Sequence, residues 1–256
     1  MTLSRRRFIT VAGAGALSGA VNLNAFVHTQ DRPRLRAVAF DAFAIFDPRP
    51  IAALAETMFP GHGAALSERW RTRQFEYTWL RSLSRQYADF WQVTEDALVF
   101  AAAALHLDLD PSARRRLMNS YLELRAWPDV QPALTTLRAK GVRLALLTNF
   151  TPTMLTAALR NSSIEPLFDH VLSTDTVRTF KPDPQAYALG LDAFRLSRAN
   201  ILFAPFAGWD AAGARWFGYP TFWVNRFQAA PEQLGVAVDG SGAGLADLLR
   251  FVFPEP

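Results

Sequence analysis

Cysteine is absent from all 256 residues, which removes disulfides, zinc–thiolate sites, thiol nucleophiles and cysteine-linked lipid anchors from consideration. A chain without thiols also tolerates an oxidising compartment. Charge of one sign is equally scarce. Of the formal net charge of +4, three units come from Arg5, Arg6 and Arg7, which precede the first acid at Asp31. The remainder is almost neutral and offers no basic surface for nucleic acid. The four histidines, His28, His62, His106 and His170, lack metal-ligand spacing and read as structural or surface residues. No stretch supplies the ~20 strongly apolar residues of a stable membrane span. What is present is a 50% hydrophobic chain, enough to bury one core, or a core with a smaller lobe.

The N-terminus runs Ser4-Arg5-Arg6-Arg7-Phe8-Ile9-Thr10 and continues as a Gly/Ala-rich apolar stretch to Val21. Charge followed by a short apolar run is the order of an export signal. The arginine pair before Phe8 resembles a bacterial twin-arginine signal, whose export machinery carries folded proteins. We therefore expect residues 1–30 to be a signal peptide and linker, cleaved near Ala25, and the mature protein to be periplasmic.

Past this leader, Arg36 to Asp41 is a short apolar run ending on an acid, as in a buried parallel strand that delivers a carboxylate at its C-terminal end. Open α/β sheets build their sites at such ends. Similar runs are Val142–Leu147, followed by Thr148-Asn149, and Asn200–Ala204, followed by Gly208-Trp209-Asp210. His170–Ser173 and Pro220–Asn225 are two further candidates. Between them, Thr151 before Pro152 and Asp183 before Pro184 are helix starts, each a capping side chain ahead of a proline at the first helical position. Strands alternating with helices predict a doubly wound, Rossmann-like parallel sheet.

The segment 48–124 interrupts the alternation. It has no good strand and three amphipathic patterns, at Ser67–Leu83, Thr94–Leu105 and Pro111–Leu124, the last capped by Asp110. An α-helical cap is thus inserted directly after the first strand, between two parts of an α/β core at 34–47 and 125–256. It can close over Asp41 and exclude water.

The stretch Phe40-Asp41-Ala42-Phe43-Ala44-Ile45-Phe46-Asp47 resembles the first motif of the haloacid dehalogenase superfamily. The helical run Arg71 to Arg81 is similar to the cap signature of its L-2-haloacid dehalogenases (type II). Thr148-Asn149, Lys181-Pro182-Asp183 and Trp209-Asp210 with Gly213-Ala214-Arg215 match the later motifs in order, so the likeness runs from about Arg36 to Asn225. It implies that Asp41 is a nucleophile, that Arg71 and Asn149 receive the departing halide, and that Lys181 pairs with Asp41 and Asp210, the latter serving the hydrolytic water. It also implies substrate contacts from Phe43, Phe90, Thr148, Tyr187 and Trp209, a small haloacid substrate, no cofactor, no metal, and a homodimer formed through the cap. Taken singly, Arg71 also reads as a solvated helix residue paired with Glu68 or Glu76.

The residue types suit this chemistry. A carboxylate can displace halide to form an ester, which water then hydrolyses. Phosphatases of the superfamily carry a second acid two residues after the nucleophile, where this chain has Phe43, and an extra fourth-motif acid for magnesium, where it has Pro205-Phe206-Ala207-Gly208-Trp209. Phe and Pro supply no side-chain oxygen for a hard cation. Ile45, Pro205 and Ala207 stand where the dehalogenases have threonine, serine and asparagine. Two alternatives therefore stay open: a hydrolase or phosphatase of the same fold acting on another small substrate, and a degenerate member that binds without turnover.

Overall fold

The computed structural model describes residues 35–254, so the proposed leader lies outside the described residues. In chain order the elements are β1 (Ala37–Phe40), α1 (Ala42–Ile45), α2 (Arg49–Met58), α3 (Gly63–Ser84), α4 (Phe90–Ala104), α5 (Pro111–Asn119), α6 (Val130–Ala139), β2 (Arg143–Thr148), α7 (Pro152–Ser162) and β3 (His170–Ser173). They continue as α8 (Pro184–Phe194), β4 (Ile201–Ala204), α9 (Gly208–Phe217), β5 (Phe222–Val224), β6 (Gly240–Gly242) and α10 (Leu245–Val252).

Four strands form a parallel sheet in the order β3-β2-β1-β4. Side chains alternate across a strand, and β1 uses both faces. Val38 and Phe40 join the core built with α6, α7 and α10, whereas Ala37 and Ala39 pack with Tyr187 and Phe194 of α8 and Ala214 of α9. All four β1 residues are fully buried, which explains an unbroken apolar run rather than an alternating one. The chain order reverses beside β1, because β2 and β4 flank it on opposite sides. A crevice opens at the C-terminal ends of these three strands.

The fifth expected strand differs from its reading. β5 pairs in parallel with β6, a Gly-Ser-Gly strand with no apolar signal, and is tied to the end of β4 by a bridge from Phe203 to Thr221 and a hydrogen bond from Val224 N to Pro205 O at 2.9 Å. The expected prolines and caps do begin α5, α7 and α8, with Asp110, Thr151 and Asp183 accepting backbone N–H bonds. By contrast α4 starts at Phe90 rather than Thr94, because Asp89 caps it by accepting from Gln92 N at 2.8 Å.

Helices α2 to α5 form the lobe between β1 and β2, and its two ends are drawn together where Phe46 bridges Ala126 and Asp47 N donates to Arg125 O at 2.9 Å. The lobe docks on the core through polar and aromatic contacts. Ser82 of α3 accepts from Phe180 N at 3.2 Å and from Thr179 Oγ1 at 3.3 Å, while Tyr87 stacks on Phe180 and donates to Asp175. Phe90 at the start of α4 stacks on Phe150 at 5.7 Å. Replacing Ser82 by Ala removes both acceptor contacts and orphans a backbone N–H, so we predict a loss of about 1–2 kcal/mol in urea unfolding. An unchanged midpoint would show that the lobe is held without this link.

Candidate functional site

Three strand ends deliver the site. Asp41 follows β1 and caps the short α1, with Oδ2 accepting from Phe43 N at 3.1 Å, while its own N–H donates to Ala204 O at the end of β4. Thr148 closes β2, and Asn149 follows it. Asp210 lies in the first turn of α9, directly after β4. Lys181 reaches in from the loop before α8, in which the Lys181–Pro182 peptide is cis.

The ammonium of Lys181 joins two of these ends. Its Nζ donates to Asp41 Oδ1 at 2.8 Å and to Asp210 Oδ2 at 2.6 Å. Burial alone would lower the lysine pKa, but the charges of Asp210 and Asp41 and their hydrogen bonds outweigh it, and the pKa lies above its ordinary value. Asp210 is pushed up to about 6, chiefly by burial and further by the charge of Asp41, against the opposing pull of Lys181 and Tyr187. The two carboxylates are not equivalent. The side chain of Asp41 is 14% exposed and that of Asp210 only 2%, so the first is the more accessible to a reacting molecule.

Both lie on the wall of one cavity of about 570 Å³, which is lined also by Phe43, Arg71, Phe90, Thr148, Asn149, Lys181 and Trp209. Arg71 forms no ion pair or hydrogen bond among the described residues. Glu76, one of its alternative partners, pairs with Arg73 at 2.8 Å. Arg71 is exposed and lines the cavity, so its guanidinium is open to solvent and to a ligand. Asn149 is oriented by its acceptor end, since Oδ1 receives Lys181 N at 3.0 Å and Thr174 Oγ1 at 3.3 Å. Its amide nitrogen has no hydrogen-bond partner among the described residues and can donate to an anion. Phe43 meets Phe150 edge-on at 5.1 Å, and Trp209 packs against Phe75 and Trp79 of α3 at 5.0 and 5.5 Å, so core and lobe share an aromatic wall.

Tyr187 requires a correction. It is fully buried and is not on the cavity wall; it donates to Asp210 Oδ1 at 2.7 Å from behind. This geometry suits orienting the acid from α8, which packs on the face of the sheet that carries Ala37 and Ala39. Of the three departures from the family pattern, Ala207 is on the cavity wall, whereas Ile45 and Pro205 are buried away from it.

Sequence reasoning missed Gln74 and Tyr121. Both line the cavity, and Gln74 Nε2 donates to Thr94 Oγ1 at 2.6 Å and Tyr121 OH at 3.2 Å, leaving Gln74 Oε1 buried without a donor. Gln74 was findable, three residues beyond Arg71 and hence on the same helix face; Tyr121 carried no local signal. The rarity of lysine was another usable mark, since Lys140 and Lys181 are the only two in the chain. Among the described residues, no group of three or more His, Cys, Asp or Glu converges as a metal site requires, and no helix is long and apolar enough to cross a membrane.

Comparisons with known proteins agree with this geometry. A family model described as haloacid dehalogenase-like hydrolase matches residues 14–218. The (S)-2-haloacid dehalogenase of Pseudomonas sp. (strain YL) is 41% identical over 206 residues, covering 80% of this chain and 89% of that protein. A crystal structure of an L-2-haloacid dehalogenase superposes with a TM-score of 0.83 at 48% identity, covering 85% of this chain and 98% of the other. The L-2-haloacid dehalogenase of Xanthobacter autotrophicus with chloropropionic acid covalently bound superposes at 0.80 with 32% identity, covering 87% and 100%.

The raised Asp210 sets a pH dependence. Above pH about 6 it is ionised and able to accept a proton, and below that it is neutral, so we predict that turnover falls on an acidic limb centred near that value. Tyr187→Phe removes a donor that favours the ionised form, which moves the limb to higher pH and lowers kcat by roughly 10-fold through lost positioning. A kcat–pH profile in which the variant's limb stays in place contradicts this role.

Proposed function

Because this chain belongs to the haloacid dehalogenase-like hydrolases, we propose that it is an enzyme that hydrolyses the carbon–halogen bond of short L-2-haloacids, giving a 2-hydroxy acid and halide. The observation that carries this reading is the accessible Asp41 carboxylate, held by the Lys181 ammonium and sharing its cavity with the unpaired Arg71.

In the first step an Asp41 oxygen attacks C2 opposite the halogen. A C–O bond forms, the carbon–halogen bond breaks with its electron pair leaving on the halide, and C2 inverts. Arg71 and the free amide of Asn149 donate hydrogen bonds to the developing halide, stabilising charge where it appears in the transition state. Water then attacks the ester carbonyl carbon, Cγ of Asp41, and Asp210 takes a proton from it. The bond from Cγ to the ester oxygen, formerly an Asp41 oxygen, breaks; that oxygen takes the proton held by Asp210 and leaves with C2 as the hydroxyl of the 2-hydroxy acid, while the water oxygen stays on Cγ and loses its remaining proton to solvent, restoring the Asp41 carboxylate. Because the C2–O bond stays intact in this step, the inversion is kept. Phe43, Phe90 and Trp209 keep bulk water from the carbon–halogen bond.

We read the chemistry as metal-independent, since the Lys181 ammonium already occupies the space between the two acids and neutralises charge there. A second reading has specific support. Ala207 presents no polar group to the hydrolytic water, which favours a slow second step and an accumulating ester. Halide release from L-2-chloropropionate with a chelator present, combined with mass spectrometry of the intact protein, separates the cases. We expect stoichiometry well above one halide per chain; a single equivalent with a trapped adduct identifies the stalled form. Asp41→Asn abolishes both signals, and survival of either would refute the nucleophile.

Export is the finer part of the proposal. Its support is the arginine pair ahead of an apolar run at residues 8–21. Replacing Arg5 and Arg6 by Lys should retain the full-length protein in the cytoplasmic fraction, and unchanged periplasmic recovery would exclude the twin-arginine route.

A further inference from the structure

Most of the cavity lies beyond what a small haloacid needs. At ~30 Å³ per water, 570 Å³ is room for roughly 19 waters, whereas 2-chloropropionate has about six non-hydrogen atoms and fills roughly a third of it. The surplus has a definite wall. Phe43, two residues after the nucleophile, packs on Phe206 with ring centroids 5.9 Å apart, and Phe206 meets Phe227 at 5.4 Å and 83°. All three rings line the cavity, together with Ile51 and Trp223. An apolar strip therefore leads from Asp41 to Phe227, which is 47% exposed at the rim.

The polar groups along this arm are already engaged inside the protein. Trp223 Nε1 donates to Phe206 O at 2.9 Å. Asn225 spends both ends of its amide on Ala229, at 2.9 and 2.8 Å. Arg49 is paired with Asp47 and lies over the Trp127 ring. Glu232 is an exposed exception at the edge. This is the reverse of the Asp41 end, where Arg71 and the Asn149 amide are unspent. Free hydrogen-bonding groups at one end and spent ones at the other suit a ligand with an anionic head and an apolar tail.

Resting on the dehalogenase reading, we propose that the Phe43–Phe206–Phe227 arm holds a bulky apolar, preferentially aromatic, substituent on C2, so that the preferred substrate is an L-2-haloacid with a side chain of benzyl size rather than methyl. Phe206 and Phe227 stand nearly perpendicular, so an inserted ring can meet the face of one and the edge of the other. Each buried methylene is worth about 4-fold in binding, and a phenyl ring correspondingly more.

The test compares kcat/KM of the purified protein for L-2-chloro-3-phenylpropionate and L-2-chloropropionate. We expect a ratio of at least ~10 in favour of the phenyl acid, and a fall in that ratio of ~5-fold or more in Phe227→Ala. The partly exposed side chain makes a folding defect avoidable, and thermal unfolding checks it. Phe206→Ala should shift the ratio in the same direction. A ratio at or below one in the parent protein overturns the arm, as does a ratio unmoved by both variants. If chloropropionate releases halide and the phenyl acid does not, the arm alone falls. If neither releases halide nor forms an adduct, the dehalogenase reading fails and takes the arm with it.

Discussion

One ammonium group shared by two carboxylates holds this molecule's chemistry in place. Lys181 is 1% exposed, and a charge so buried is tolerable only with partners at hydrogen-bond distance. Asp41 and Asp210 supply them, and in doing so tie β1, the loop before α8 and the start of α9 into one unit. The group carries two negative charges and one positive, a net excess of one negative. An anionic substrate adds to that excess, which explains why an unpaired guanidinium shares the cavity. Arg71 supplies a second positive charge from the lobe, so lobe and core together neutralise the group before an anion enters and leave a single negative excess once it is bound.

The lobe is consequently part of the site. Its α3 carries Arg71 and the rings that pack on Trp209, and its Ser82 grips the backbone beside Lys181. Any displacement of α3 is transmitted to the loop that presents the lysine, because the same helix holds both contacts. Tyr187 acts from the other side of the sheet, buttressing Asp210 where no substrate reaches.

How far the sequence could be read depended on how local each signal was. The apolar run ending at Asp41 announced both a buried strand and its acid, because burial on both faces and a strand-end carboxylate each leave a mark within a few residues. The proline-preceded caps of α5, α7 and α8 were equally local. Asp89 was overlooked because no proline follows it, and β6 because Gly240-Ser241-Gly242 presents no apolar face. Tyr187 was assigned to the site because the family resemblance implied it, yet only the packing of α8 decides which side of Asp210 it occupies. The contact between Phe206 and Phe227 joins residues on either side of β5, and no periodicity encodes it.

The backbone turn after Asp41 is fastened from the far end of the chain. Arg226 donates through Nε and Nη2 to Ala44 O, 182 residues away in sequence, while Asp129 accepts from both Arg226 and Leu245 N. During synthesis the nucleophile emerges long before its clasp. Until Lys181 and Arg226 have both been made, the reactive turn lacks its ammonium partner or its fastening, so a chain stopped before them has no half-working enzyme to offer. Maturation of the site therefore waits on segments made long after its nucleophile.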